Sequence, residues 1–323
     1  RMVYLILILI ISLPLIIFGA DLLVSGSVSI ARRYKVSDFA IGALIVGIGT
    51  SFPELVVSVI GAIQGNSDVA IGNVIGSNIF NILGILGLTS LILPVNVHKD
   101  NLKFDLPLCI AISIIATLLT FNFFANDRYS ISRIDGILLL ALFIAFILLT
   151  FYINDKNNKN QDEKSIEKPS IIEQINLPKM IFKILFGLTM LIIGSNYFVN
   201  SAEAIALQLG VDQAFISITL IACGTSLPEL VASLTAAFKK NTELALGNII
   251  GSNIFNMTLI LGISSMITPL QIGNITLIDY VVMITASILP IVLYRKGRLN
   301  RVSGGIMFIL FIIYNIYLIY TQI

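Results

Sequence analysis

Charge is scarce in this chain. Only 12% of its 323 residues are Asp, Glu, Lys or Arg, against roughly 25% in an ordinary soluble domain, which excludes a cytoplasmic globular enzyme. What charge there is nearly cancels. The 20 Lys and Arg stand against 18 Asp and Glu, so there is no polybasic face for nucleic acid. Cysteine is limited to Cys109 and Cys223, both inside apolar runs, which supports neither a disulfide framework nor a zinc site nor redox chemistry. One histidine, His98, stands in a loop beside Lys99 and Asp100 and is read as solvated.

Apolar sequence fills the space left by charge, at 57% of the chain. A membrane-crossing helix needs about 20 apolar residues, so the length accommodates about ten. Charged and turn-rich interruptions place spans near 3–31, 37–64, 69–93, 104–124 and 134–153, then 178–208, 213–238, 244–268, 276–294 and 303–321. The first run, Val3 to about Phe18, resembles a signal peptide but is followed by no Ala-x-Ala-type cleavage site, and is read as the first span. Residues 154–176 form a polar linker that cannot build a core. Only Arg1, Arg128 and Arg133 fall on the even-loop face, leaving 17 of the 20 basic residues on the other. The excess of Lys and Arg marks the cytoplasmic side. An all-α polytopic bundle is therefore expected in the plasma (inner) membrane, with both termini outside and the linker in the cytoplasm.

The chain also repeats itself. At an offset of 175, residues 36–90 match 211–265 at 26 of 55 positions without a gap. The identities gather in two stretches: Gly49-Thr-Ser-Phe-Pro-Glu-Leu-Val-Val-Ser58 against Gly224-Thr-Ser-Leu-Pro-Glu-Leu-Val-Ala-Ser233, and Gly72-Asn-Val-Ile-Gly-Ser-Asn-Ile-Phe-Asn81 against Gly247-Asn-Ile-Ile-Gly-Ser-Asn-Ile-Phe-Asn256. Duplication alone would spread identity over all the apolar spans. Five spans per copy is an odd number, so the second copy enters the membrane the other way up, as in secondary transporters whose substrate lies where the copies meet. The expected division is a first five-helix repeat over 1–153 with its motif at about 37–90, the linker 154–176, and a second repeat over 177–323 with its motif at about 212–265.

Each first motif sets one carboxylate, Glu54 or Glu229, inside an apolar helix that holds no Lys or Arg. A charge at the bilayer centre costs at least about 2.5 to 3.5 kcal/mol on insertion scales, so it needs a partner, and a bound cation is the one left. Thr50 and Ser51 lie four and three residues before Glu54 and share its face. Pro53 lacks an N–H and crowds the carbonyl of Gly49, which opens the helix and frees carbonyls at about Gly47 to Gly49. Thr225, Ser226, Pro228 and Glu229 repeat the pattern. In the second motif Ser77, Asn81, Ser252 and Asn256 are read as facing the ion, while Asn73 and Asn248 stand open between ion binding and helix-to-helix hydrogen bonds. Gly72, Gly76, Gly247 and Gly251 allow close helix approach. All the donors are oxygens, which suit calcium, sodium or magnesium. Two carboxylates carry a charge near −2, which one Ca²⁺ neutralises, and calcium's flexible coordination fits better than magnesium's tight octahedron.

These paired motifs, Gly-Thr-Ser-x-Pro-Glu-Leu with Gly-Asn-x-Ile-Gly-Ser-Asn-Ile-x-Asn, once per half, closely resemble the alpha-repeats of the calcium/cation antiporter superfamily and specifically its prokaryotic-type sodium/calcium exchangers. The resemblance implies exchange of three Na⁺ for one Ca²⁺ by alternating access. It implies that Glu54 and Glu229 serve both ions, that Thr50 and Thr225 join the calcium site, and that Ser51, Ser77, Ser226 and Ser252 serve sodium with the carbonyls of Gly47 and Ala222. Asn81 and Asn256 would border the central site, and the long first and sixth helices would slide as a gate. Some relatives, potassium-dependent ones among them, carry Asp where this chain has Asn256, which argues against potassium dependence here. Proton/calcium relatives often carry an acidic residue and His in the second motif, which is absent here. Ca²⁺ and H⁺ should still compete, because a metal ligand must be deprotonated.

An H⁺/Ca²⁺ antiporter is the runner-up, and a cation channel is less favoured because two carboxylates at one deep site in inverted halves suit occlusion better than a pore. An intramembrane hydrolase built on Ser51, Ser77 and Glu54 would lack a His or Lys base. The chain is read as an ion transporter without enzymatic activity or cofactor, whose partners are Na⁺, Ca²⁺ and the lipid bilayer, with no protein partner evident. Asp21, matched by Asn196, is read as structural, and Glu203 and Asp279 as lying near helix ends.

Overall fold

A computed structural model describes residues 2–121, 129–162, 176–210 and 224–322. The first part holds α1 (Met2–Tyr34), α2 (Asp38–Thr50), α3 (Phe52–Ile63), α4 (Ser67–Ile92), α5 (Asn101–Phe121) and α6 (Arg133–Asp162). The second holds α7 (Leu177–Gln208), α8 (Leu227–Phe238), α9 (Thr242–Ile267), α10 (Leu277–Val292) and α11 (Arg301–Gln322). Among the described residues α1, α4, α5, α6, α7, α9 and α11 are long and apolar enough to cross a membrane; α2 and α3, bent by 47°, make an eighth span if taken together. Helices α8 and α10, with 12 and 16 residues, fall short of a full span. Positions 211–223, which hold the start of the span expected near 213–238 together with Ala222 and Cys223, lie outside the described residues.

Polar helices occupy the centre and apolar ones the rim. The most apolar stretch of α9 is 94% buried, against 17% for α1 and for α11. Asn248, Ser252, Asn253 and Asn256 of α9 are buried, whereas Ile6, Ile10, Ile17 and Phe18 of α1 are exposed. That inversion is what lipid as solvent selects, since polar groups must find partners inside the bundle.

Helices α1 and α7 pair along a glycine seam. A Cβ on Gly19 would lie 2.6 Å from the Leu191 amide nitrogen, and one on Gly187 would lie 2.6 Å from that of Leu23. Further seams cross the two halves: Gly304 of α11 backs onto Gly87 of α4, and Gly136 of α6 backs onto Gly262 of α9. Gly247 and Gly251 let α9 approach Phe39 and Ala43 of α2 at backbone distance, the close packing expected of them.

Loops cross between the halves as well. Strand β1 (Val95–Asn96) pairs antiparallel with β4 (Arg298–Leu299), and β2 (Ser130–Ile131) with β3 (Leu270–Gln271). Beside β3 the Asp68 carboxylate accepts from the amides of Gly273 at 2.9 Å and Asn274 at 3.0 Å. At the equivalent position beside β1, Glu243 pairs with the imidazole of His98. His98 is therefore exposed yet partnered, which its loop sequence did not reveal. Asp21 pairs with Lys239 at 2.6 Å, a surface tie between α1 and the end of α8. Asp279 occupies the capping box at the start of α10.

The first residues of the polar stretch expected over 154–176 are helical. Helix α6 runs on to Asp162, because a backbone ladder once under way extends at little cost. Asn154 is also fixed, accepting from the Ser37 amide at 2.8 Å.

Substituting Gly19 by Ala should force the α1 and α7 backbones apart and cost about 1–3 kcal/mol, read as a lower thermal midpoint in detergent. Gly305→Ala, whose Cβ would meet only Leu91 Cδ1 at 3.7 Å, should leave the midpoint unchanged. Equal midpoints for the two variants would contradict the seam.

Candidate functional site

Both first motifs break their helix at a serine. Ser51 has φ −82° and ψ 9°, Ser226 has φ −90° and ψ 11°, and each is followed by a new helix with proline in its first two positions. Proline has no N–H to pair, so a break just before it leaves one amide fewer unpaired at the new helix start. Glu54 and Glu229 consequently sit in the first turn of α3 and α8, where the exposed amides and the helix dipole favour a negative charge.

The two halves then satisfy each other. Ser51 Oγ donates to Glu229 Oε1 at 2.8 Å, and Ser226 Oγ to Glu54 Oε1 at 2.8 Å. Thr50 donates to Asn248 Oδ1 at 3.2 Å and Thr225 to Asn73 Oδ1 at 3.4 Å. Asn73 Nδ2 donates to the Glu54 carbonyl at 3.1 Å and Ser58 Oγ at 2.9 Å; Asn248 Nδ2 does the same to the Glu229 carbonyl at 3.3 Å and Ser233 Oγ at 2.8 Å. Both amide nitrogens of Asn73 and Asn248 thus bond helix to helix, which narrows the two readings left open for these residues. Ser77 and Ser226 hydroxyls meet at 2.8 Å. Ser252 Oγ donates at 3.2 Å to the Gly47 carbonyl, which also keeps its helical bond from the Ser51 amide at 3.1 Å. Its counterpart on Ala222 lies outside the described residues.

At Asn81 and Asn256 the helices widen into i→i+5 turns, over Phe80–Leu86 in α4 and Asn256–Ile260 in α9. Such turns re-aim side chains and are frequent at functional sites. Glu54, Glu229, Asn81 and Asn256 are all fully buried. Among the described residues the second oxygen of each carboxylate, Oε2, and the Oδ1 of Asn81 and Asn256 accept no hydrogen bond. Four acceptor oxygens, two from each half, are thus buried without a donor. An unsatisfied buried acceptor costs about 1–3 kcal/mol, and more when charged, so four in one bundle point to a ligand that supplies positive charge. No cluster of three or more His, Cys, Asp or Glu side chains that could hold a metal occurs among the described residues. The donor set is hydroxyl, amide, carbonyl and carboxylate oxygen, suited to hard cations.

Four further residues escaped sequence reasoning. Ser58 and Ser233 anchor Asn73 and Asn248, and Asn78 and Asn253 each donate to the other's backbone carbonyl. All four are identical at the 175-residue offset, which was the available signal.

Ser226 bridges Glu54 and Ser77, whereas Ser51 donates to Glu229 alone among its described hydroxyl contacts. Ser226→Ala should therefore destabilise the protein more than Ser51→Ala, by about 1 kcal/mol, in detergent thermal unfolding. Equal midpoints would contradict the bridge.

The chain is 38% identical over 309 residues to a putative antiporter, CaxA, of Alkalimonas amylolytica, covering 92% of this chain and 93% of that one. It is 32% identical over 324 residues to the sodium/calcium exchanger MaX1 of Methanosarcina acetivorans, covering 90% and 91%. The structure superposes on that of the sodium-calcium exchanger NCX_Mj soaked with zero Na⁺ and Ca²⁺ with a TM-score of 0.83 at 31% identity, covering 98% of this chain and 100% of the other. The family described as sodium/calcium exchanger protein matches residues 4–152 and 179–320. With both carboxylate motifs inside the matched segments, this chain belongs to the sodium/calcium exchanger protein family.

Proposed function

We propose that this protein is a secondary-active antiporter that exchanges Na⁺ for Ca²⁺ by alternating access, moving three Na⁺ for each Ca²⁺. The observation that carries this reading is the set of four buried acceptor oxygens, Glu54 Oε2, Glu229 Oε2, Asn81 Oδ1 and Asn256 Oδ1. They would form the centre of the cation site. Thr50 and Thr225 complete the Ca²⁺ shell, and Ser51, Ser77, Ser226 and Ser252, with the carbonyls of Gly47 and Ala222, serve Na⁺ on either side. One Ca²⁺ neutralises the two carboxylates, so that leg carries no net charge. Three Na⁺ leave one positive charge, and a full cycle moves one charge across the membrane.

Two inverted five-helix repeats, 1–153 and 177–323, joined by a cytoplasmic linker over 154–176, fit this scheme. The reciprocal bonds between Ser51 and Glu229 and between Ser226 and Glu54 support a twofold relation between the halves. The ten-span count takes α10 and the segment that includes α8 as short crossings. Both termini then lie outside the plasma (inner) membrane. The α1 and α7 pair, held together by its glycine seam and exposed on its outer side, is suited to move as a unit against the rest. Asn256 in place of an acidic residue keeps the central charge at two carboxylates and makes K⁺ unnecessary.

Purified protein in vesicles loaded with Na⁺ should take up Ca²⁺ when external Na⁺ is diluted, with inward Ca²⁺ movement that responds to membrane potential and not to K⁺. Glu54→Gln and Glu229→Gln should each lower the uptake rate at least about a hundredfold, equivalent to about 2.7 kcal/mol, while the protein stays folded. Uptake driven by a pH gradient and indifferent to Na⁺ would overturn the Na⁺ coupling. Ca²⁺ flow without any counter-ion would indicate a channel instead.

A further inference from the structure

Four asparagine side chains meet where α4 and α9 come together. Asn78 Nδ2 donates to the backbone carbonyl of Asn253 at 3.2 Å, and Asn253 Nδ2 donates to that of Asn78 at 3.2 Å. Asn256 Nδ2 donates to Asn78 Oδ1 at 3.0 Å and to Ser77 Oγ at 3.2 Å, and Asn81 Nδ2 donates to Asn253 Oδ1 at 3.0 Å. Asn81 Oδ1 and Asn256 Oδ1 are the oxygens left without a donor among the described residues.

The two ends of a primary amide have nearly the same size and opposite electrostatics: one only accepts and the other only donates. A half-turn of the side chain would replace oxygen by NH₂ at almost no steric cost. For an ion site the difference is decisive, because NH₂ repels what oxygen binds. Something with a fixed polarity must therefore choose the end.

A backbone carbonyl has that property, since it can only accept. The carbonyl of Asn253 obliges Asn78 to present its NH₂, which leaves Asn78 Oδ1 facing Asn256. That oxygen in turn obliges Asn256 to present its NH₂, which leaves Asn256 Oδ1 free. The same sequence runs from the carbonyl of Asn78 through Asn253 to Asn81.

We propose that Asn78 and Asn253 are positioning residues that set the polarity of the cation site, holding Asn256 and Asn81 with their oxygens toward the transported ion. The proposal rests on the cation-exchange reading given above. Its distinctive feature is that control is crossed. Asn78 shares a helix with Asn81 but holds Asn256 of the other half, and Asn253 shares a helix with Asn256 but holds Asn81. Neither positioning residue contributes an unpaired oxygen of its own, so each acts through its partner.

A double-mutant cycle separates this from simple packing, because residues that act through one contact are non-additive. The readout is the equilibrium Ca²⁺ affinity of the purified full chain in detergent, with monodispersity as a check on folding. Asn78→Leu should weaken Ca²⁺ binding about 3- to 10-fold. That loss should disappear in an Asn256→Ala background and persist in an Asn81→Ala background; Asn253→Leu should show the mirror pattern. Additive losses in both backgrounds, coupling within a helix, or an unchanged affinity would overturn the proposal. If Asn78→Leu does not fold, Asn78→Asp serves instead, because a protonated Asp can donate to the Asn253 carbonyl and still accept from Asn256. Affinity within about twofold of the unmodified protein would then support the proposal, and a loss as large as that of Asn256→Ala would overturn it. Na⁺-driven Ca²⁺ uptake by the unmodified chain is measured alongside. Its absence would refute the exchange reading itself, whereas its presence with an additive cycle would refute only the positioning roles.

Discussion

Two carboxylates buried in a membrane bundle, with no basic side chain bonded to either among the described residues, form the constraint around which this protein is built. Glu54 and Glu229 are fully buried, and each receives one hydroxyl donor, from Ser226 and Ser51, on a single oxygen. One hydroxyl does not offset a buried charge. The helix breaks at Ser51 and Ser226 and the placement of both acids in the first turn of a new helix lower the cost, because those ends carry partial positive charge. What remains is a site that prefers a cation without owning one. A permanent Lys or Arg partner would remove the need for a transported ion and with it the transport.

The second consequence is interdependence. Neither half holds its own carboxylate in place: the serine that fixes Glu54 comes from the second half, and the one that fixes Glu229 comes from the first. Farther out, β1 pairs with β4 and β2 with β3, and the seams at Gly87 with Gly304 and Gly136 with Gly262 cross in the same sense. The interface between the halves and the proposed ion site are the same structure. A relative movement of the halves must change the surroundings of both carboxylates together, which is what a carrier needs and what a static pore does not.

Much of this was legible in the residues. The seven long apolar helices among the described residues follow from apolar runs, and the paired acids and the prolines behind the helix breaks follow from the motifs, because each states a local physical conflict that has few resolutions. Other features have no local signature. Asn78 lies in the same short stretch as Ser77 and Asn81, and Asn253 in that of Ser252 and Asn256, and nothing in a single strand of sequence says which amide meets a backbone carbonyl of the other half. His98 beside Lys99 and Asp100 reads as an ordinary polar loop, and only the fold brings Glu243 to it. Helix α6 continues past Asn154 because polarity ends a membrane span but does not end a helix.

Where the cation binds decides most directly whether the two glutamates are the centre of exchange. An experimental structure determined with Sr²⁺ or Ca²⁺ in the absence of Na⁺ should show one strong density peak bounded by Glu54 Oε2, Glu229 Oε2, Thr50 and Thr225, lost in the Glu54→Gln variant. Divalent density only at the loop carboxylates, with the two glutamates satisfied by water or by each other, would contradict it.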